Sequence, residues 1–161
     1  MNNTEPEIAD PLADLKNKTL LIISSPNPTK RFIYTRLKEL APKMILMSSE
    51  ANWVSKLAES HVESDPLDEV ACVAKIDELV KTTKIDGVLT FWENAVPLCA
   101  TLAQRFGWIG HAPQAALNAR NKYLTRQTLE NAKLGKYQPA WALIKNHGDL
   151  EKASARLGFP L

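Results

Sequence analysis

The sequence is poor in cysteine, with two cysteines in 161 residues. Cys72 and Cys99 both fall on apolar faces of predicted helices. This placement disfavours a disulfide framework and favours two buried thiols in a reducing cytosol. A nucleophilic role for Cys99 is disfavoured as well, because a thiol among apolar side chains is inert. His61, His111 and His147 are widely separated and match no zinc-ligand spacing.

Long apolar runs and charge of a single sign are also missing. No run approaches the ~20 residues needed to cross a bilayer, and the first 18 residues have no signal-peptide core. The 20 basic and 18 acidic residues are spread along the chain and give a net charge of +2. There is no basic stripe of the kind that binds nucleic acid. These absences predict a cytoplasmic protein that binds neither nucleic acid nor a membrane.

Glycine is absent where a dinucleotide-binding fold would need it. The turn Ser24-Ser25-Pro26-Asn27-Pro28 follows the first apolar run and does not match GxGxxG. Its backbone N–H groups could bind an anion, but a polar turn with proline near a helix start is the favoured interpretation. Glu50, near the end of the second strand, is placed like a ribose acceptor. Without the glycines we interpret it as a solvated or helix-capping residue.

What remains is the composition of a globular protein, 45% apolar and 24% charged. Short apolar runs at Thr19–Ile23, Lys43–Met47 and Gly87–Trp92 predict strands, and Val62 starts a minor one. Helical stretches alternate with them. The alternation predicts an α/β fold with an open, mainly parallel sheet and helices on both faces. The predicted helices of this part are Thr29–Leu40, Trp53–Ser60, Asp68–Thr83 and Ala95–Phe106.

Helical spacing also predicts which side chains face the sheet. The predicted inward stripe is Phe32, Ile33, Leu37 and Leu40 in the first helix, and Val70, Val73, Ile76, Leu79 and Val80 in the helix that Asp68 caps.

The pattern changes after Gly107. Trp108–His111 is at most an edge strand, and helices are predicted from Ala112 and over Tyr123–Ala132. Gln138–Ile144 is predicted as a strand, and Asp149 as the cap of a helix over Leu150–Leu157.

The predicted organisation has three parts: a flexible leader over 1–18, an α/β domain with linking helices over 19–135, and the incomplete start of a further domain over 136–161. One strand and one helix cannot bury a sheet, so we expect the sequence to be a truncated piece of a longer protein. Its uncovered apolar surface would favour association, for example as a homodimer.

Glu93 and Asn94 follow the predicted strand Gly87–Trp92. Ligands of open parallel sheets bind beyond the carboxyl ends of the strands. Glu93 is therefore a candidate for holding a substrate amino group or lining the crevice. The alternative is a carboxylate at a helix N-terminus, which the helix dipole favours.

Three segments resemble those of ATP-grasp ligases, in matching order and spacing. Thr90-Phe91-Trp92-Glu93-Asn94-Ala95 is similar to the Glu-Asn segment at a strand end of biotin carboxylases. Ala119-Arg120-Asn121-Lys122 resembles the family's small-x-Asp-Lys segment. Asp149–Leu161 resembles the helix that leads to its Gly-Phe-Pro-Val-Val-Lys-Pro strand. Residues 19–161 thus resemble a pre-ATP-grasp domain and the start of an ATP-grasp domain, with most likeness to amino-acid or dipeptide ligases of carnosine-synthase type.

The resemblance implies a parent enzyme that uses ATP and Mg²⁺ to activate a carboxylate as an acyl phosphate, which an amine attacks. It implies that Lys122 contacts the nucleotide phosphates and that Glu93 and Asn94 contact substrate. Phosphoryl transfer depends on positioning and charge neutralisation, which a lysine can supply. The alternative for Lys122 is a solvated helix lysine. Asn121 departs from the family pattern, since it stands where Asp is common.

The resemblance places the metal-binding carboxylates, the Gly-rich loop and a second lysine beyond Leu161. We therefore expect no catalytic residue and no metal ligand within this chain, and no activity from it alone. We also expect Glu93 and Lys122 to border one cleft. The alternative function is a non-catalytic α/β module that binds a metabolite or docks a partner.

Overall fold

Four parallel strands form the framework of the first part of the chain. The computed structural model describes residues 13–23, 27–40 and 42–159. The chain divides into two compact units, Met1–Pro113 and Gln114–Leu161. The predicted domain limits at residues 18 and 135 remain a prediction.

The strands are β1 (Thr19–Ile23), β2 (Lys43–Ser48), β3 (Ser60–Glu63) and β4 (Gly87–Thr90). Their order in the sheet is β3-β2-β1-β4, and all three pairings are parallel. Ile22 lies opposite Leu46 on one side and Leu89 on the other. The predicted parallel α/β fold is confirmed.

Six α-helices are present in the described residues. They are α1 (Arg31–Glu39), α2 (Glu69–Leu79), α3 (Val96–Phe106), α4 (Pro113–Arg120), α5 (Lys122–Asn131) and α6 (His147–Leu157). Asp68 caps α2 as predicted, by accepting a hydrogen bond from Ala71 N–H. Gly107 ends α3 in the left-handed conformation, with φ of 69°. None of these helices is long and apolar enough to cross a bilayer.

Hydrophobic side chains cover both faces of the sheet. Alternate residues of a strand point to opposite faces, so Leu21 and Ile23 join one core and Leu20 and Ile22 the other. Side chains of α2 and α3 complete the first core, and Tyr34 and Leu37 of α1 complete the second. The continuous apolar run of β1 therefore has the two-sided burial that it predicts.

Two of the predicted inward residues are exposed. Phe32 is 71% exposed and Val70 is 81% exposed, whereas Tyr34 and Cys72 are buried in their place. Each helix is rotated relative to the prediction, because its packing against the sheet decides which residues face inward. The predicted helix Trp53–Ser60 is a 3₁₀ turn, Trp53–Lys56, since Ser60 already pairs in β3.

Strand β4, predicted over Gly87–Trp92, pairs only with β1 among the described strands. It ends at Thr90 rather than Trp92, and Leu89 is 39% exposed. The deeply buried strands are β1 and β2, because each has neighbours on both sides. Residues 108–111, predicted at most as an edge strand, have no regular secondary structure.

In the second unit, residues 138–144 have no regular secondary structure, contrary to the predicted strand. A strand needs a hydrogen-bonding partner, and none is present in the described part of this unit. Side chains hold the segment instead: Trp141 Nε1 donates to Glu130 at 2.8 Å, and Arg156 donates to the Trp141 carbonyl at 2.7 Å. Asn146, not Asp149, caps α6, and Asp149 lies in its first turn.

Candidate functional site

The carboxyl ends of β1 and β4 define the candidate site of the first unit. From β1 the chain passes to β2 and β3 on one side, and later to β4 on the other. A crevice forms at such a point because the connections leave in opposite directions, and ligands of α/β proteins bind there. Phe91–Asn94, which we call the post-β4 segment, directly follows β4.

Glu93 and Asn94 are exposed and begin a 3₁₀ turn, Glu93–Ala95, that leads into α3. Glu93 thus follows the carboxyl end of a parallel strand, as predicted. It also lies at the start of a helical stretch, where the dipole favours a carboxylate. The position is compatible with both predicted roles, and the substrate role remains a prediction.

Hydrogen bonds hold the post-β4 segment at both ends. Thr90 Oγ1 donates to the Ile23 carbonyl at 2.8 Å and accepts from Trp92 N–H at 3.0 Å. Ala95 N–H donates to the Trp92 carbonyl at 3.0 Å. Lys30 Nζ donates to the Phe91 carbonyl. The segment is therefore fixed to β1 and to the start of α1.

An aromatic cluster lies beside this segment. The Tyr34 ring meets Phe91 at 5.5 Å and Trp53 at 5.2 Å between centroids, both edge to face. The Arg31 guanidinium lies 5.8 Å from the Trp53 ring centroid. The cluster and Lys30 were missed by sequence reasoning. The sequence feature that could have indicated them is the pair of cations, Lys30 and Arg31, at the N-terminus of a predicted helix.

A polar network closes the carboxyl end of β2 around buried Ser48. Its hydroxyl donates to the Glu50 carbonyl at 2.8 Å and lies 2.9 Å from His61 Nε2. His61 Nε2 also lies 3.2 Å from the Ser48 carbonyl. A carbonyl can only accept a hydrogen bond, so the tautomer with a proton on Nε2 satisfies both Ser48 oxygens. Glu50 contributes its backbone carbonyl, while Asn52 caps the following 3₁₀ turn.

A cavity of about 360 Å³ lies between β4, α3 and residues 109–111. Its wall is mostly apolar and includes Cys99, and exposed His111 also lines it. Residues 109–111 can approach α3 because Gly110 has no side chain: a Cβ at this position would lie 2.6 Å from Ala103 Cβ. Trp92 and Trp108 are half-buried and pack against the core that α2 and α3 form with the sheet.

Both cysteine thiols are free and poorly ionised. Burial raises the pKa of the Cys99 thiol to about 12. The pKa of the Cys72 thiol is also raised, mainly by burial, although its hydrogen bond with Ser64 opposes the shift. The thiolate is the nucleophile, so neither side chain is suited to covalent catalysis.

We expect iodoacetamide to label neither Cys72 nor Cys99 in the folded protein at pH 8. With a pKa of about 12, only about one Cys99 thiol in 10⁴ is ionised at that pH. Both cysteines should react within minutes in 6 M guanidinium chloride, which is the control. Mass spectrometry of the native protein after one hour gives the answer, and stoichiometric labelling of either cysteine would contradict the assignment.

Lys122 and Asn121 lie at the start of α5 in the second unit. Asn121 is the N-cap, and its side-chain oxygen accepts from Tyr123 and Leu124 N–H at 3.0 and 3.3 Å. Asn and Asp are about equally good caps, so the departure from the family's Asp removes a charge but keeps the cap. Lys122 is exposed in the first turn, where the helix dipole favours an anion over a cation.

Lys122 has a group that suits a phosphate, whereas the described residues form no cluster of three metal-ligand side chains. An exposed ammonium at a helix N-terminus fits a phosphate group. In contrast, no three His, Cys, Asp or Glu side chains of the described residues lie together as metal ligands. Arg120 ends α4, and Arg126 is half-buried in α5.

No protein-family model matches this sequence. It is similar to carnosine synthase 1 of Homo sapiens, with 23% identity over 91% of this chain and 19% of the relative. It is also similar to carnosine synthase 1 of Gallus gallus, with 26% identity over 76% of this chain and 14% of the relative. The chain thus spans less than a fifth of the length of these curated relatives.

Solved structures share the fold. An L-amino acid ligase from Bacillus licheniformis has a TM-score of 0.66 and 22% identity, covering 88% of this chain and 42% of the ligase. The ADP complex of an N5-carboxyaminoimidazole ribonucleotide synthetase has a TM-score of 0.68 and 21% identity, covering 91% of this chain and 37% of the synthetase. These identities support the fold alone.

Sheet topology and relatives together support the resemblance to ATP-grasp superfamily ligases. Within that class, the sequence relatives found are carnosine synthases, and one structural relative is an L-amino acid ligase.

Proposed function

We propose that this chain is the N-terminal part of an ATP-dependent ligase that joins a carboxylate to an amine, of amino-acid or dipeptide type. The parent enzyme activates the carboxylate as an acyl phosphate, which the amine attacks to form a C–N bond. Within the chain, Glu93 and Asn94 contact substrate and Lys122 contacts the nucleotide phosphates.

The observation that carries the proposal is the position of Glu93 and Asn94. They follow the carboxyl end of β4 at the point where the strand order reverses. A carboxylate there can hold a substrate ammonium group through a charge-assisted hydrogen bond. The chain that carries these two residues is similar to carnosine synthase 1 over 91% of its length.

The phosphate role of Lys122 has separate support. Lys122 lies in the first turn of α5, where its charge opposes the helix dipole. The helix dipole thus slightly disfavours a lysine at this position, which supports a role in binding an anion. ATP donates its γ-phosphoryl group to the carboxylate and leaves as ADP, and phosphate is released when the amine attacks. A mobile ammonium offsets the negative charge during the phosphoryl transfer. The proposal assigns no base and no metal ligand for that step to the described residues.

The second candidate function is a module that binds a metabolite without catalysis. The cavity of about 360 Å³ beside β4 favours it, since its volume is in the range of small-molecule sites. On this reading the chain would bind a small molecule with or without ATP.

The test is an assay of phosphate release from ATP by the full-length parent protein, with pairs of amino acids as substrates. We expect phosphate release that requires both an acid and an amine, with a peptide or amide as the second product detected by mass spectrometry. The 161-residue chain should release none and is the matched control. Amino-acid binding without phosphate release by the parent protein would support the module instead.

A further inference from the structure

We infer that Lys30 is a positioning residue for the substrate side of the candidate site. It ties the post-β4 segment to the start of α1 and so fixes the backbone from which Glu93 and Asn94 project. The inference rests on the proposed function and extends it to a residue outside the ligase-like segments.

The position of Lys30 is unfavourable by local electrostatics. It directly precedes α1, where the positive end of the helix dipole repels a cation, and it makes no capping hydrogen bond. The Lys30 ammonium instead donates to the Phe91 carbonyl. A hydrogen bond from a charged donor is stronger than one between neutral groups. The tertiary contact therefore explains a cation that the helix itself disfavours.

Two further contacts act on the same segment. The Phe91 ring packs edge to face on Tyr34 of α1, and Thr90 Oγ1 donates to the Ile23 carbonyl of β1. Phe91 is thus held through its carbonyl, its ring and its preceding residue. Binding groups on a fixed backbone bind more tightly, because less conformational freedom is lost when the ligand arrives.

Lys30 acts through the backbone of Phe91 and not on the reacting atoms. Its loss should therefore loosen residues 91–95 and weaken binding of the substrate that Glu93 contacts. The KM for ATP should stay unchanged, since the nucleotide contact is assigned to Lys122.

Hydrogen–deuterium exchange tests the tether directly. We expect Lys30→Met to speed exchange of the amides of residues 91–95 by about tenfold, the change that corresponds to loss of one charge-assisted hydrogen bond. Lys38→Met is the matched control, because Lys38 of α1 also donates to a backbone carbonyl, that of Leu57 at 3.3 Å. It should leave residues 91–95 unchanged, and Lys30→Arg should restore slow exchange. Unchanged exchange in Lys30→Met overturns the inference.

A double-mutant cycle in the full-length parent protein tests the consequence. Lys30→Met should raise the KM of one substrate about tenfold with the KM for ATP unchanged. In a Glu93→Gln background the same change should raise this KM by less than it does alone, because one of the two positioned contacts is already weakened. Additive effects, or equal rises in both KM values, overturn the inference and indicate a general structural role.

The two measurements separate this inference from the proposed function. If the parent protein turns over no substrate, the proposed function fails and the positioning role falls with it, while the exchange result still reports the tether. If the parent protein is active and the cycle is additive, the function stands and only the role of Lys30 is wrong.

Discussion

Replacing Lys122 with methionine is expected to raise the KM for ATP of the full-length parent protein by ten- to a hundredfold. The reason is the loss of a charge-assisted contact with the phosphates, which contributes about 1.5–3 kcal/mol. Methionine keeps the length and the apolar stem of the side chain and removes only the charge. Initial rates over a range of ATP concentrations give the KM.

The same substitution should leave the folded state unchanged or slightly more stable. Lys122 is in the first turn of α5, and removing a cation from that end of a helix relieves about 0.3–1 kcal/mol of unfavourable dipole interaction. Weaker nucleotide binding without loss of stability would distinguish a functional lysine from a structural one. Lys152→Met, at an exposed position of α6, is the control and should change neither quantity.

An unchanged KM for ATP in Lys122→Met would remove the nucleotide role from this chain. It would leave only the resemblance of Ala119–Lys122 to the family segment, and Lys122 would then be a solvated helix lysine. The substrate role of Glu93 would be unaffected, because it depends on the first unit.

Replacing Gly110 with alanine is expected to destabilise the chain by about 1–3 kcal/mol, the usual cost of overpacking. The new Cβ would lie 2.6 Å from Ala103 Cβ, so either residues 109–111 or α3 must move. Urea unfolding of the 161-residue chain measures the loss. Gly87→Ala is the control, because its added Cβ would meet Leu20 at 3.6 Å, an ordinary contact.

A second substitution tests the cause. Ala103→Gly removes the methyl group that Gly110→Ala would meet, at the cost of helix propensity, about 1 kcal/mol. If the clash is responsible, the double variant should lose less free energy of unfolding than the two single variants lose in sum. Simple additivity would place the cause elsewhere in residues 108–111.

Much of the framework could be predicted from local pattern. The apolar runs of β1 and β2 predict buried strands because only a sheet covered on both faces hides every residue of such a run. Asp68 predicts a helix start because its side chain satisfies a free backbone N–H. Glu93 predicts a site candidate because it follows a strand of a parallel sheet. The inferences about strands and caps use only neighbouring residues, and the inference about Glu93 also uses the alternation of strands and helices.

Other features depend on contacts between distant residues. Helical spacing predicted Phe32 and Val70 on the inner faces of α1 and α2, yet both are exposed. The spacing identifies an apolar stripe along the helix. The position and rotation of the helix on the sheet decide which residues of that stripe are buried. Residues 138–144 have the composition of a strand and no partner strand in the described part of their unit, so propensity alone does not make them one.

The sequence by itself determined the alternation of strands and helices, the parallel α/β class, and the polar residues that follow the strands. These depend on periodicity and capping, which act over a few neighbouring positions. The tertiary structure alone decided that β4 lies beside β1, that Lys30 reaches the Phe91 carbonyl, and that Gly110 lies against Ala103. These are packing outcomes among residues distant in the sequence, and no local pattern encodes which distant atoms will meet.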